Sequence, residues 1–239
     1  MIGNLLDFIW PRACAVCERP VDRPGRYLCT DCLNRLPLIP ADGLCRRCGC
    51  DATALDGEFL CEECREKKTR PEFDRAGSAI RFDGEARELV NSFKFRSGYY
   101  LRNDLVDLLE AMVRTRFRLE EIDLVAPVPS TFAHRFLRGY NQCHYLAKEL
   151  SRRLKLKYDA HLLKRVGHPL RQGLLTREDR RENVIGTFAA AHRVKKGATV
   201  LVVDDIMTTG ATLSECAKVL KAAGAARVFA ASLARPYRV

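Results

Sequence analysis

The stretch VLVVDDIMTTGAT, residues 200–212, sets a run of aliphatic residues against two aspartates and a Thr-Thr-Gly-Ala-Thr turn. A short apolar run of this kind is a strand buried on both faces. Asp204 and Asp205 then fall at its carboxyl end, where open α/β sheets bind their ligands. Thr212-Leu-Ser-Glu215 has capping-box spacing, which predicts a helix beginning at Thr212. Free backbone amides of the turn, threonine hydroxyls and the positive end of the helix dipole together make an anion site. Gly210 lets the backbone approach that anion closely. Carboxylates would repel a phosphate, so Asp204 and Asp205 must face a different part of the ligand. A sugar phosphate satisfies both demands: its vicinal hydroxyls donate to the two carboxylates, and its phosphate sits against Thr208, Thr209, Gly210, Ala211 and Thr212. A Walker A loop is excluded because the turn carries no lysine. A receiver domain, which also ends its first strand in paired acids, would need far more chain than the 34 residues that follow Asp205.

Outward from this loop, the chain from about residue 71 alternates strand and helix patterns. Strands are predicted at 77–82, 123–128, 184–189, 199–204 and near 227–233, and helices at 84–93, 100–116, 133–153 and 212–223. Such alternation predicts an α/β fold, a mostly parallel sheet flanked by helices, over residues 71–239.

Residues 1–70 follow another logic. Four CxxC pairs, Cys14/Cys17, Cys29/Cys32, Cys45/Cys48 and Cys61/Cys64, have the spacing of zinc knuckles and predict two structural four-cysteine zinc sites. Near-equal intervals between pairs allow consecutive ribbons or an interleaved cross-brace, and consecutive ribbons are preferred. Cys50 is left over beside Cys48, as a spare thiol or a substitute ligand. A segment this short buries little apolar area, so metal binding is expected to supply most of its folding free energy.

The formal charge of +11 is unevenly spread. Residues 1–70 carry 11 basic and 11 acidic side chains, whereas residues 131–182 carry 13 and 5. With its thiolates counted, the cysteine module is net negative, so a polyanion is expected on the 131–182 segment. There Arg135 and Arg138 are placed to meet phosphate and Tyr140 to stack on a base. No apolar run reaches the roughly 20 residues that cross a bilayer, and the N-terminus has no export-signal pattern, so a cytoplasmic location is expected. The five histidines show no metal-ligand spacing.

The loop at 204–212 resembles the ribose-phosphate loop of type I phosphoribosyltransferases, which bind phosphoribosyl pyrophosphate (PRPP) with Mg²⁺. Val125-Ala-Pro-Val-Pro-Ser130 is similar to the pyrophosphate loop of that fold. With the cysteine pairs, Phe93-Lys-Phe95, Arg138-Gly-Tyr-Asn-Gln142 and the series Gln172, Arg180 and Asn183, the resemblance to the ComF (ComFC) competence proteins covers nearly the whole chain. It implies that Asp204 and Asp205 form the catalytic pair and bind PRPP with the TTGAT turn, that Pro129, Ser130 and Thr131 hold the pyrophosphate, and that single-stranded DNA and a ComFA-type helicase or translocase are partners in DNA uptake. The alternative is a catalytically active phosphoribosyltransferase of nucleotide metabolism or salvage. Against it, no segment outside the sheet is large enough to cover a base, unless the cysteine module does so.

Overall fold

The computed structural model describes residues 12–52, 59–94, 96–130, 141–167 and 183–237. Five strands, β1 (Arg75–Arg81), β2 (Leu124–Pro127), β3 (Lys157–Tyr158), β6 (Thr199–Ile206) and β7 (Arg227–Arg235), form one sheet in the order β1-β7-β6-β2-β3. Every pairing in it is parallel. Along β6, Leu201 and Val203 pack with Leu105 and Leu109 of helix α4 (Arg102–Arg116) and Leu146 and Leu150 of α5 (Gln142–Leu154). The alternate residues Val200 and Val202 pack with Leu213, Ala217 and Leu220 of α6 (Ala211–Ala222) on the opposite face. The continuous apolar run is thus explained by two covered faces.

The remaining elements are the short helices α1 (Thr30–Arg35) and α2 (Glu62–Arg65), α3 (Gly84–Phe93), two 3-10 helices (Arg96–Leu101 and Leu119–Glu121), and an antiparallel pair of strands, β4 (Leu163–Arg165) and β5 (Phe188–Ala190). The strand expected at 184–189 is corrected by this pair. Only Phe188–Ala190 is extended and it lies outside the main sheet, because Gly186 takes φ +72° and Thr187 N–H closes a turn onto the Val184 carbonyl at 3.2 Å. Helix α6 starts at Ala211 with Gly210 as its N-cap, so the Thr212–Glu215 box does not form. Glu215 instead accepts from Gly186 N–H at 2.9 Å. Of the helix predicted at 133–153, residues 142–153 are seen within α5, whose N-cap Asn141 accepts from Cys143 and His144 N–H.

The cysteine module is fastened to the sheet domain rather than tethered beside it. Leu28 and Leu36 belong to the same buried cluster as Ile80 and Leu105, and Cys45 and Cys48 to the cluster of Phe73 and Val200. The module's apolar side chains are thus buried jointly with those of the sheet domain. Arg23 reaches Asp104 at 3.0 Å and Asp107 at 2.9 Å, and Arg26 reaches Asp107 at 2.6 Å. Asp104, fully buried, also accepts from Tyr27 N–H at 2.9 Å. In the second half of the module, Arg116 and the fully buried Arg235 donate to the carbonyls of Arg46 (3.2 Å) and Cys48 (2.7 Å). Between the two halves, residues 37–39 lie along β1: Ile39 N–H donates to Ala79 and Arg81 N–H to Pro37. The outer edge of the sheet is sealed by that segment.

Candidate functional site

Asp204 and Asp205 end β6 as the sequence places them. Asp204 is buried, and its Oδ1 accepts from Asp205 N–H at 2.9 Å and from the Cys143 thiol at 3.3 Å. Burial, then the charge of Asp205, pushes the Asp204 carboxyl up to about 7, while the Cys143 hydrogen bond pulls it down. Burial and the two carboxylates push the Cys143 thiol well up, so that it stays protonated as a donor. Asp205 lies 3.7 Å from Lys94 Nζ, at the C-cap of α3, and its Oδ1 accepts from Ile206 N–H at 2.7 Å.

The turn that follows leaves Thr208 exposed and Thr209 and Thr212 half-buried. Thr209 Oγ1 accepts from Ala211 N–H at 3.3 Å. Gly210 takes φ +79°, and a Cβ added there would lie 3.5 Å from the Phe73 ring. Space is sufficient at Gly210, so the backbone angle is what requires glycine. One strand over, Val128 N–H donates to Val203 at 2.9 Å, which brings Pro129 and Ser130 beside the aspartates. Ser130 Oγ is buried and has no hydrogen-bond partner among the described residues. A buried hydroxyl without a partner is a donor left for a ligand. Gln142 Nε2 donates to the Lys94 carbonyl at 2.7 Å, so the two motifs around Lys94 and Gln142, far apart in sequence, meet behind this site. Thr131, Arg135, Arg138 and Tyr140 lie outside the described residues. Cys143 was not singled out from the sequence, where it reads as an ordinary core position of a helix.

Sulfurs of Cys14, Cys17, Cys29 and Cys32 lie within 4.8 Å of one another, as do those of Cys45, Cys48, Cys61 and Cys64. The pairing is therefore consecutive. Tetrahedral Zn²⁺ with Zn–S bonds of about 2.3 Å separates its sulfurs by about 3.8 Å. Cys17 and Cys29 are 3.7 Å apart and Cys48 and Cys61 3.5 Å, so both sets fit that ion. Backbone N–H groups of Cys29, Cys32 and Cys48 point at cysteine sulfurs at 3.5 Å, as thiolate ligands require. Cys143, Asp204 and Asp205 also cluster. The carboxylates suit Mg²⁺, but a thiol does not, and here it serves as a hydrogen-bond donor.

The second ribbon borders the Thr208–Thr212 turn. Glu72 N–H donates to Ser214 Oγ at 3.0 Å. A cleft of about 340 Å³ opens between them, lined by Cys64, Lys68, Phe73, Thr209, Gly210 and Lys218. Among the described residues no helix is long and apolar enough to cross a membrane.

Comparison with known proteins agrees with this architecture. Residues 5–65 match the double zinc ribbon domain and residues 141–237 the phosphoribosyl transferase domain. Competence protein F of Haemophilus influenzae is 29% identical, over 93% of this chain and 96% of its own length. DNA utilization protein YhgH of Escherichia coli K12 is 28% identical, over 91% and 94%. Competence protein ComFC of Bacillus subtilis is 24% identical, over 85% and 82%. The chain thus carries a double zinc ribbon domain followed by a phosphoribosyl transferase domain, and along nearly its whole length it is similar to proteins named competence protein F and ComFC.

Proposed function

We propose that the protein binds PRPP with Mg²⁺ at the carboxyl end of β6 and serves DNA uptake in natural transformation, handling single-stranded DNA on the cytoplasmic side together with a ComFA-type translocase. The observation that carries the PRPP reading is the meeting of Asp204 and Asp205, the Thr208–Thr212 turn and the orphaned Ser130 hydroxyl at one end of the sheet. Asp204 and Asp205 would accept from the ribose hydroxyls, the turn would hold the 5′-phosphate, and Pro129, Ser130 and Thr131 the pyrophosphate. The Mg²⁺ supplies charge neutralisation to the pyrophosphate. On binding, Lys94 is free to leave Asp205 for the incoming anion. The DNA reading rests on relatives named for competence and DNA utilization, and on the basic excess of residues 131–182, which include Arg135, Arg138 and Tyr140.

Isothermal titration of PRPP·Mg²⁺ tests the site. Replacing both Asp204 and Asp205 by Asn removes two charge-assisted hydrogen bonds worth about 1.5–3 kcal/mol each, so affinity should fall at least 100-fold. Unchanged affinity would place PRPP elsewhere. If about four phosphates are neutralised, the log affinity for single-stranded DNA should fall against log salt with a slope of roughly −3, made shallower by Arg135→Ala with Arg138→Ala. A salt-independent or absent affinity refutes the DNA reading.

One observation favours a catalytically active phosphoribosyltransferase as the second reading: the cleft between the second ribbon and the turn gives room for an acceptor. Base-dependent pyrophosphate release without DNA affinity would establish that reading over the first.

A further inference from the structure

The second ribbon holds five thiols where four are needed. Cys50 is 2% exposed and its sulfur lies 3.4 Å from Cys48 Sγ, as close as the ligand pair Cys48 and Cys61 at 3.5 Å. It also interacts through its side chain with Cys45 and Cys61. Nor is it a loosely held neighbour. Cys45 N–H donates to the Cys50 carbonyl at 2.7 Å, and Gly49 N–H to the Cys45 carbonyl at 2.9 Å. Between them Gly49 takes φ +67°, with its Cα so near β1 that an added Cβ would meet the Ala76 carbonyl oxygen at 2.7 Å. The backbone therefore aims Cys50 at the cluster in a fixed direction.

Cys45, Cys48 and Cys61 neighbour Cys50 as well as Cys64, so they could serve either of two sets of four sulfurs. One is closed by Cys64, and these four sulfurs all lie within 4.8 Å of one another. The other is closed by Cys50, from the knuckle itself. A metal ion held on the shared triangular face needs only a short movement through that face to exchange its fourth ligand.

We propose that Cys50 is a reserve ligand of the second zinc centre, able to replace Cys64. The exchange is balanced: Cys50 gives up its thiol proton and bonds the ion as thiolate, while the Zn–S bond to Cys64 breaks and Cys64 takes up a proton. Neither net charge nor redox state changes. Cys64 belongs to α2, and the chain from there runs to Phe73 against Gly210, so the exchange loosens the wall beside the Thr208–Thr212 turn while leaving residues 45–61 metal-bound.

Metal counting by native mass spectrometry tests the proposal without reference to activity. Wild type, Cys64→Ser and Cys50→Ser should each carry two zincs, and Cys50→Ser with Cys64→Ser only one. Cys45→Ser should also carry one, because Cys45 belongs to the shared face and has no substitute. Loaded with Co²⁺, Cys64→Ser should keep the spectrum of two four-thiolate sites. One zinc in Cys64→Ser, a three-thiolate Co²⁺ spectrum there, or two zincs in the double variant would each overturn the proposal. A readout on the wild-type chain guards against misfolding of the variants. With ¹¹³Cd in both sites, the second site should give a doubled or exchange-broadened resonance that becomes a single sharp line in Cys50→Ser. A line equally sharp in both chains refutes the exchange.

Discussion

Cys143 on α5 donates its thiol proton to Asp204 at the end of β6, across 3.3 Å and 61 positions of sequence. This hydrogen bond faces a carboxylate that burial makes costly to ionise. The other groups around it are Asp205 on the same strand, Arg165 from β4 and the buried Cys216 of α6.

From this arrangement a pH dependence follows. Asp204 has its folded-state pKa raised from 3.8 to about 7, so the folded chain holds the proton more tightly than the unfolded one. The stability this contributes is fully present below about pH 4 and is lost as the pH rises through about 7. Asp204→Asn should match wild type in acid and exceed it at pH 8, the advantage growing by on the order of 2 kcal/mol between pH 5 and pH 8. Urea melts of the ligand-free protein at both pH values measure it. An advantage that does not change with pH would mean that Asp204 ionises normally.

Gly210→Ala should lower stability by about 1 kcal/mol, because alanine must hold the left-handed backbone that caps α6. The Phe73 ring leaves room for the methyl, so the loss should not exceed that strain. PRPP affinity should fall in the same variant as the turn shifts. A chain as stable as wild type with full affinity would show that the positive φ is not required.

Asp104→Ala removes a buried partner from Arg23 and from Tyr27 N–H. Arg23 keeps Asp107 at 2.9 Å, so the cost falls on the unpaired Tyr27 N–H and the lost Arg23 contact, about 1–3 kcal/mol. Because the ribbons share buried clusters with the sheet domain, the zinc-loaded wild-type protein should melt in one calorimetric transition, and this variant should melt lower, with hydrogen exchange rising first across residues 23–30. Two separated transitions in the wild type would show that the halves fold independently.

The sequence made the loop at the end of β6 readable because its pattern is local: Asp204, Asp205 and Gly210 sit within seven positions, and the structure places them at the strand end and in the turn where that spacing puts them. The zinc sites were readable for the same reason, each knuckle being its own signal. Cys143 was not, since its meaning comes from a strand 61 residues away. The Gly210 cap was misread because Thr212 and Glu215 have the right types and spacing, and only the tertiary bond from Gly186 shows where Glu215 is engaged. Arg23, Arg116 and Arg235 carry no sequence signal of their own, because their pairing with Asp104 and with backbone carbonyls of the second ribbon depends on how the two halves pack.

Residues 37–39, running along β1, have a consequence for any attempt to divide the protein. A fragment beginning near residue 71 keeps all five strands yet bares the donors and acceptors of β1 that Pro37 and Ile39 now occupy. Such an open margin recruits whatever extended peptide is at hand, including another copy of itself. The stretch between the two zinc sites therefore occupies part of an edge that a truncated sheet would leave open.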